Sequence, residues 1–410
     1  MTRWNGSYLG VLQNTSVSIA GGIWNLKRQT LSKQTNAWPI LASEPIWVLD
    51  FSTGSPSGYV FLRGSTGTFI DSLGYITSAS NDVARLTHDS SGNRLGLLIE
   101  ESRTNFEPNS EDGNSGLNNS GTTVTANDGL APDNTTTADR WQVPATGWCY
   151  KGPNGIVAGT YVLSFYIKQK SSSETVRIRA FGNVSGVVAA STVVTSSNWQ
   201  RVELVLVNGQ TQQLVIGLDQ RTGVGGPGTS ADVLVWGFQV ETGSVPSSYI
   251  KTTGSSVTRS ADIAYILDSN VTSWGDPGAL CIYFYPPGKT GSFISTDTVA
   301  NEQLGIEASG LTAARAFWSN GSTPTGTITT GVNKAIHYWN GNSSSFCING
   351  GTVQTGNNNI TTFGNIDYLT FGSQATSATA GYSAYSNCII RKIEFYSGIL
   401  VDQNLKDITT

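Results

Sequence analysis

Residues 159–170 read GTYVLSFYIKQK, and this stretch decides the fold class because apolar and polar side chains alternate along it. Such alternation places the apolar side chains on one face of a β-strand. Turns rich in Gly, Ser or Asn separate this stretch from further strand-like stretches. These are ETVRIRAFGN (174–183), GVVAASTVVT (186–195), WQRVELVLVNG (199–209), QQLVIGLDQ (212–220) and ADVLVWGFQVETG (231–243). Strands at this spacing predict a β-sandwich or jelly roll over residues 106–265.

The sequence on either side of this region also favours strands. Residues 46–105 contain short apolar runs and the turn SSGN at 90–93, which indicates a β-hairpin within a small β-rich connector. Residues 266–410 also contain candidate strands, among them ALCIYFYPP, KAIHYWNG and CIIRKIEFYSG. The final VDQNLKDI predicts a short helix with Asp402 as its N-cap.

Residues 1–45 have a different character. They contain two short strand-like runs and one candidate helix, which Trp38-Pro39 ends because the residue before proline avoids the α region. So few elements bury little apolar surface, and Trp4, Trp24 and Trp38 therefore need a partner. We interpret this segment as a docking peptide, with packing onto the chain's own next domain as the alternative. The prediction is an all-β chain of tandem β-sandwich (jelly-roll) modules after a short N-terminal docking segment.

The composition supports this class and excludes others. Only 13% of the residues are charged, about half of the roughly 25% that is usual in globular domains. The net charge is −4 without a basic patch, and no apolar run approaches the length of a membrane span, so we expect neither nucleic-acid binding nor membrane insertion. The four cysteines show no CxxC spacing, so we expect buried free thiols and no zinc.

The sequence gives little support for catalysis. A Ser-His-Asp site would need His88, which lies in a polar turn, or His337, which lies inside an apolar strand. A glycosidase needs two carboxylates about 5–9.5 Å apart, whereas the adjacent Glu100 and Glu101 would face opposite sides of a strand. We therefore expect that the protein is not an enzyme and that it uses no cofactor and no metal.

Two segments that bracket the predicted sandwich resemble known virion proteins. GLLIEESRTN at 96–105 resembles a junction found in bacteriophage tail and fibre proteins just before a carbohydrate-binding-module-like jelly roll. WGFQVETGSVPSSYIKTTGSSVTRSAD at 236–262 resembles the far end of the same module, where the last strand passes through an acidic residue, here Glu241, into an Arg-Ser-Ala-Asp exit.

The C-terminal region is similar to concanavalin A-like and laminin-G-like sandwiches. The resemblance rests on KAIHYWNGNSSSFCINGGTV, YLTFGS and IIRKIEFYSGILVDQNLKDI, with Asn349-Gly350 at the family's hairpin turn. GIWNLKRQTLSKQTNAWP in the N-terminal segment is similar to a tryptophan-rich segment of phage structural proteins. The pattern of strands and turns divides the chain into 1–45, 46–105, 106–265 and 266–410.

The resemblance implies a bacteriophage tail-fibre or baseplate-type adhesion protein, made in the host cytoplasm and assembled into the virion. Such proteins are commonly homotrimers that attach to other virion proteins by the N-terminus and bind host cell-surface polysaccharide through sandwich loops. Two alternatives stay open: a head-decoration or neck-fibre protein that binds only virion proteins, and a glycan depolymerase. The fold family that the C-terminal region resembles includes glucanases, which carry a Glu-x-Asp-x-x-Glu cluster on one strand. This chain lacks such a cluster, which disfavours glycan cleavage.

Aromatic side chains in loops are the best candidates for glycan contact, because sugar C–H faces stack on aromatic rings and loops at sandwich ends commonly carry binding residues. Structure or subunit contact is the alternative role for each of them. For docking we select Trp4, Trp24 and Trp38. For carbohydrate binding we select Trp148, Tyr150, Trp318, Tyr382 and Tyr385.

Overall fold

The computed structural model describes most of the chain after the N-terminal segment. The described residues are 44–184, 186–267, 277–296, 304–318, 321–357, 368–375, 382–383 and 385–410. Their regular secondary structure consists of antiparallel strands apart from one helix and one 3-10 turn, which confirms the all-β fold class. The predicted docking residues Trp4, Trp24 and Trp38 lie outside the described part. No helix of the described residues is long and apolar enough to cross a membrane.

The described residues form two compact units. The central unit is residues 61–263, and the flanking unit combines residues 44–60 with the described residues after 263. The strands β2 (Val60–Leu62) and β19 (Ile263–Leu267) span the two chain boundaries between the units.

The central unit contains strands β3 to β18 and one 3-10 turn at Thr222–Val224. The strands are β3 (Gly67–Ile70), β4 (Ile76–Ala79), β5 (Leu86–His88), β6 (Arg94–Ile99), β7 (Arg103–Asn105), β8 (Asn118–Ser120), β9 (Thr123–Gly129), β10 (Ala138–Val143), β11 (Trp148–Lys151), β12 (Gly159–Gln169), β13 (Thr175–Gly182), β14 (Val188–Val194), β15 (Gln200–Asn208), β16 (Leu214–Asp219), β17 (Ala231–Thr242) and β18 (Val257–Arg259).

Ten of these strands form the predicted sandwich. One sheet has the order β15-β12-β17-β10-β9 and the other β14-β13-β16-β11-β8. Alternate residues of both sheets meet in one apolar core, with Phe165 and Val235 from the first sheet and Ile178 and Leu218 from the second. The strands β5 and β6 pair as the predicted hairpin around the SSGN turn, in which Asp89 accepts backbone hydrogen bonds.

The flanking unit holds the remaining strands and one helix. They are β1 (Trp47–Asp50), β20 (Gly278–Phe284), β21 (Ser292–Thr296), β22 (Leu304–Ala308), β23 (Ala313–Trp318), β24 (Gly321–Ser322), β25 (Gly326–Thr327), β26 (Asn333–Asn340), β27 (Ser343–Ile348), β28 (Gln354–Asn357), β29 (Tyr368–Phe371), β30 (Gln374–Ala375), β31 (Tyr382–Ser383), β32 (Cys388–Ser397) and α1 (Asp402–Thr409).

Two antiparallel sheets organise the flanking unit. One has the order β28-β27-β26-β20-β32-β1 and the other β19-β29-β21-β22-β23, with β24 and β25 beside β23. Helix α1 covers the first sheet because Leu405 packs against Ile336 and Cys347. The predicted helix is confirmed, but the N-cap is Val401, whose backbone N–H donates to Asn404 Oδ1 at 3.0 Å; Asp402 is the first helical residue.

The structure divides the predicted connector 46–105 between the two units. Its first strand, β1, pairs antiparallel with β32 of the flanking unit, with Trp47 opposite Phe395. Residues 61–105 belong instead to the central unit. The reason is that a strand takes its place from the backbone hydrogen bonds of its ladder partner, which need not be near in sequence.

A buried cluster of arginines and carboxylates joins the segments that enter and leave the central sandwich. Arg85 contacts Glu100 at 2.7 Å and is also paired with Asp262. Arg63 reaches Asp262 at 3.2 Å, and Arg259 lies 3.5 Å from Glu100. All five side chains are almost fully excluded from solvent, so the charges must be paired. This arginine–carboxylate cluster ties together the two bracketing segments, 96–105 and 236–262.

Candidate functional site

A cleft lies on the outer face of the sheet that contains β11, β13 and β16. Along β11, Cys149 packs in the sandwich core, so its neighbours Trp148 and Tyr150 point to the outer face. Along β13, Ile178 and Ala180 are buried in the core, which places Arg179 and Phe181 outside. Strand alternation therefore brings aromatic and cationic side chains to one surface.

The cavity volume of this cleft is about 480 Å³. Its walls combine aromatic rings, guanidinium groups and side-chain amides. The lining residues are Asn118, Trp148, Tyr150, Arg179, Phe181, Gly182, Asn183, Gly186, Val188, Gln213, Val215 and Arg221. This mixture of apolar faces with a few polar groups is typical of small-molecule sites.

The central strand β16 approaches β11 closely because Gly217 has no side chain. Gly217 lies opposite Tyr150 on one side and Arg179 on the other. A Cβ at Gly217 would approach the carbonyl oxygen of Cys149 to 2.0 Å, so no larger residue fits without a shift of the backbone. Arg179 Nη1 donates to the Tyr150 hydroxyl oxygen at 3.3 Å, so the cationic and the aromatic wall meet across β16.

Three aromatic rings form one side of the cleft. The rings of Trp148 and Tyr150 stack with centroids 5.3 Å apart, and Phe181 meets Tyr150 edge-on at 4.7 Å. Tyr150 is only 3% exposed and forms part of the floor, whereas Trp148 is partly exposed at the rim. Tyr150 and Phe181 thereby fix the position of Trp148.

A buried carboxylate holds two arginines in this cleft. Asp219 is fully buried and accepts hydrogen bonds from the Tyr150 hydroxyl, from Arg179 Nη1 at 2.9 Å and from Arg221 Nε and Nη2 at 2.8 and 2.7 Å. Burial opposes ionisation, but the bonds from Arg221, Tyr150 and Arg179 outweigh it and lower the pKa of Asp219 to about 2. The guanidinium of Arg221 also lies 5.6 Å above the Trp148 ring.

The structure brings together two of the five aromatic residues predicted for carbohydrate binding, Trp148 and Tyr150. Both lie in strand β11 and not in a loop as predicted, because Trp148–Lys151 pairs with β16. Trp318 and Tyr385 lie in the flanking unit, where they are 7% and 8% exposed. The Trp318 ring packs 6.5 Å from the ring of His337. Such burial leaves little ring surface for a sugar, so we assign Trp318 and Tyr385 to packing. The side chain of Tyr382 lies outside the described residues.

Sequence reasoning missed the polar half of the cleft, namely Arg179, Arg221, Asp219 and Gln213. The signal for Arg179 was present in TVRIRAFG, where alternation puts the two arginines and Phe181 on the face opposite the core. The signal for Asp219 and Arg221 was weaker, because LDQR shows neither that the carboxylate is buried nor that β11 lies alongside.

Each of the two histidines is engaged within its own unit. His88 belongs to the central unit, where its Nδ1 lies 3.0 Å from the Ile70 carbonyl oxygen. His337 belongs to the flanking unit, where its Nε2 lies 3.0 Å from Ser344 Oγ and burial lowers its pKa to about 4. All four cysteines are buried free thiols, as predicted. Among the described residues, no group of three or more His, Cys, Asp or Glu could hold a metal ion.

Comparisons with known proteins leave the family open. No protein-family model and no curated protein sequence matches the chain. The similar solved structures include the CBM22-1 xylan-binding domain of Paenibacillus barcinonensis Xyn10C, with 13% identity over 36% of this chain and 95% of that one and a TM-score of 0.25. The family 11 carbohydrate-binding module of Clostridium thermocellum, solved with a mixed-linked tetrasaccharide, has 12% identity, coverages of 38% and 98% and a TM-score of 0.25.

Domains LG4-5 of the mouse laminin alpha1 chain have 10% identity to this chain, with coverages of 73% and 95% and a TM-score of 0.23. These identities and TM-scores are too low to assign a fold or a function. The sandwich architecture therefore rests on the strands and their pairing, and the function rests on the cleft.

Proposed function

We propose that this chain is a structural adhesion protein of a bacteriophage particle that binds a host surface glycan in the cleft of its central unit. The observation that carries the binding role is the cleft itself, in which Trp148 and the amides of Asn183 and Gln213 line one open cavity. The resemblance of the segments at 96–105 and 236–262 to phage tail proteins supports the attachment role. The predicted docking segment 1–45 would join the chain to the particle.

The chemistry of the cleft suits a saccharide. Sugar rings present C–H groups that pack on aromatic faces, and their hydroxyls pair with planar amide and guanidinium groups. The cleft offers both kinds of surface, and its 480 Å³ falls within the roughly 300–1,000 Å³ of typical ligand sites.

We propose binding without cleavage. A general acid for glycoside hydrolysis needs a carboxyl group whose pKa is raised. The carboxylate at this cleft, Asp219, has its pKa lowered to about 2 and both oxygens engaged by donors. It is suited to orient Arg179 and Arg221 and not to donate a proton.

The test is retention of the purified full chain on a panel of immobilised bacterial polysaccharides and on intact host cells. We expect retention, and we expect Trp148→Ala to weaken it about tenfold or more, since the ring fixes the rim of the cleft. The matched control is Trp199→Ala, which removes a partly buried tryptophan of the same unit outside this cleft.

The outcomes separate the three functions. Retention that depends on Trp148 without shortening of the polymer supports the adhesion protein. Shortening of the polymer supports a depolymerase and overturns the proposal. Failure to bind any polysaccharide or cell, combined with binding to particles, supports a head-decoration or neck-fibre protein.

A further inference from the structure

The cleft has an excess of positive charge in a protein whose net charge is −4. Arg179 and Arg221 line it, and Arg177 lies two residues before Arg179 on the same face of β13. The carboxylate that faces these arginines is Asp219, which is fully buried beneath them. Two guanidinium groups against one carboxylate leave a charge of +1 in the cleft, and Arg177 adds a further positive charge beside it.

Arg177 adds to this charge without being neutralised by a neighbour. Its Nη1 donates to Thr192 Oγ1 at 3.1 Å, and in the part of the chain that the structure describes it forms no ion pair. Its buried Nε has no hydrogen-bond partner there either. The face of β13 therefore continues the positive potential of the cleft beyond Arg179.

The two arginines that line the cleft keep N–H donors that Asp219 does not engage. Asp219 engages Nε and Nη2 of Arg221 and Nη1 of Arg179. Within the described chain, Nη1 of Arg221 and Nε and Nη2 of Arg179 make no hydrogen bond. The side chains are 40% and 17% exposed, respectively, so these donors are within reach of a ligand. A guanidinium that is already fixed loses little conformational entropy on binding an anion.

We propose that the saccharide bound in this cleft is acidic, and that the carboxylate of a uronic or sialic acid residue pairs with Arg221 and Arg179. This inference rests on the proposed function and names its ligand class. Guanidinium groups match the planar geometry of a carboxylate, and hydrogen bonds between charged groups are the strong ones. The neighbouring ring of Trp148 and the amides of Asn183 and Gln213 then take the uncharged part of the sugar.

The test compares acidic oligosaccharides with their methyl esters, which keep the sugar and remove the charge. Isothermal titration calorimetry of the full chain uses hexagalacturonate, hexamannuronate and a sialic acid hexamer, each compared with its methyl ester. Xylohexaose is the neutral probe. Sulfated and phosphorylated hexaoses test other anions. We expect at least one free acid to bind about tenfold or more tightly than its ester. We also expect its affinity to fall as salt is raised.

Variants assign the effect to the arginines. Arg221→Gln and Arg179→Gln should each weaken the binding of the acid about tenfold and weaken the binding of the ester much less. Arg221→Lys keeps the positive charge but loses the planar, bidentate guanidinium group. It should therefore bind the acid more tightly than Arg221→Gln but less tightly than the wild type. Lys251→Gln is the matched control, since it removes one positive charge at a site that is 60% exposed and outside the cleft. Circular dichroism of each variant establishes that it is folded.

Each outcome decides between the inference and the proposed function. Equal binding of acid and ester, or a preference for xylohexaose, overturns the inference and leaves the glycan-binding function standing. Tighter binding of the sulfated or phosphorylated hexaose than of every carboxylate also overturns it. If neither these saccharides nor any polysaccharide of the wider panel binds, the result contradicts both the inference and the proposed glycan-binding function.

Discussion

Asp219 determines where the two arginines of the cleft lie. It is fully buried, and it receives donors from Tyr150, Arg179 and Arg221. We expect Asp219→Asn to weaken the binding of an acidic saccharide about tenfold, although the change makes the cleft more positive. The reason is that an amide no longer fixes both guanidinium groups in place.

Titration calorimetry of the folded variant distinguishes position from bulk charge. Tighter binding by Asp219→Asn would show that the net charge of the cleft, and not the placement of its arginines, governs recognition. The stability cost should be modest, about 1–2 kcal/mol, because both arginines remain partly exposed and keep much of their hydration.

Glu100 makes the stability of the central unit depend on pH. Burial opposes its ionisation, but Arg259, Arg85 and Ser248 outweigh burial and lower its pKa from 4.5 to about 2. Because the pKa is lower in the folded state than in the unfolded state, ionised Glu100 stabilises the fold above about pH 4.5, and this contribution is lost as the pH falls towards 2. A shift of this size corresponds to about 3 kcal/mol.

We therefore expect Glu100→Gln to cost about 3 kcal/mol in the free energy of unfolding at pH 7 and progressively less between pH 4.5 and pH 2. Urea denaturation of the wild type and the variant across this range measures the difference. Glu203→Gln is the control, since Glu203 is exposed on β15 and its replacement should change stability little at any pH. A cost that stays constant with pH would show that Glu100 does not act through its charge.

At the scale of elements, β16 depends on close approach to β11. Because Gly217 has no side chain, the carbonyl oxygen of Cys149 can lie close to it. A Cβ at Gly217 would be only 2.0 Å from that oxygen. We expect Gly217→Ala to cost about 1–3 kcal/mol because one of the two strands must shift, and the shift should also disturb the cleft. Thermal unfolding measures the cost. Gly209→Ala is the control, because a Cβ there meets nothing within 4 Å, and equal stability of the two variants would contradict the expectation.

The strands themselves were largely predictable, but their partners were not. GTYVLSFYIKQK and TVRIRAFG alternate with a period of two, and the structure has β12 and β13 there. Periodicity states which side chains share a face but not which strand lies alongside. For this reason the pairing of β1 with β32 and the placing of Asp219 beside Tyr150 became visible only in the structure.

The same limit explains which parts of the site were found. Trp148 and Tyr150 stood out because aromatic residues in a loop-like stretch are an informative local signal. Arg221 and Arg179 needed knowledge of long-range contacts, as did the contact between Glu100 and Arg259, which joins residues far apart in the chain. Trp318 shows the converse: a tryptophan before a polar turn is buried by packing that the local sequence does not encode.

At the scale of the whole molecule, a weak cleft is useful for attachment only if several act together. A cleft of this size on one sheet face engages a few sugar residues, and such contacts alone give modest affinity. Several copies on one particle convert later binding events into intramolecular ones, which raises the apparent affinity by on the order of 10²–10⁴-fold without new contacts. The homotrimer that the resemblance to phage proteins implies would supply three clefts.

We expect the full chain to form a trimer in solution, with a mass about three times that of the 43.5 kDa chain by light scattering. We also expect it to be retained on an immobilised acidic polysaccharide at least about a hundredfold more tightly than it binds a soluble hexamer of the same sugar, because only the polymer reaches several clefts at once. Surface plasmon resonance at decreasing polysaccharide density separates the two contributions: the apparent affinity should fall towards that of the hexamer as the ligands become sparse. A monomeric mass, or an affinity independent of ligand density, would mean that each cleft acts alone and that attachment needs multiplicity from another component of the particle.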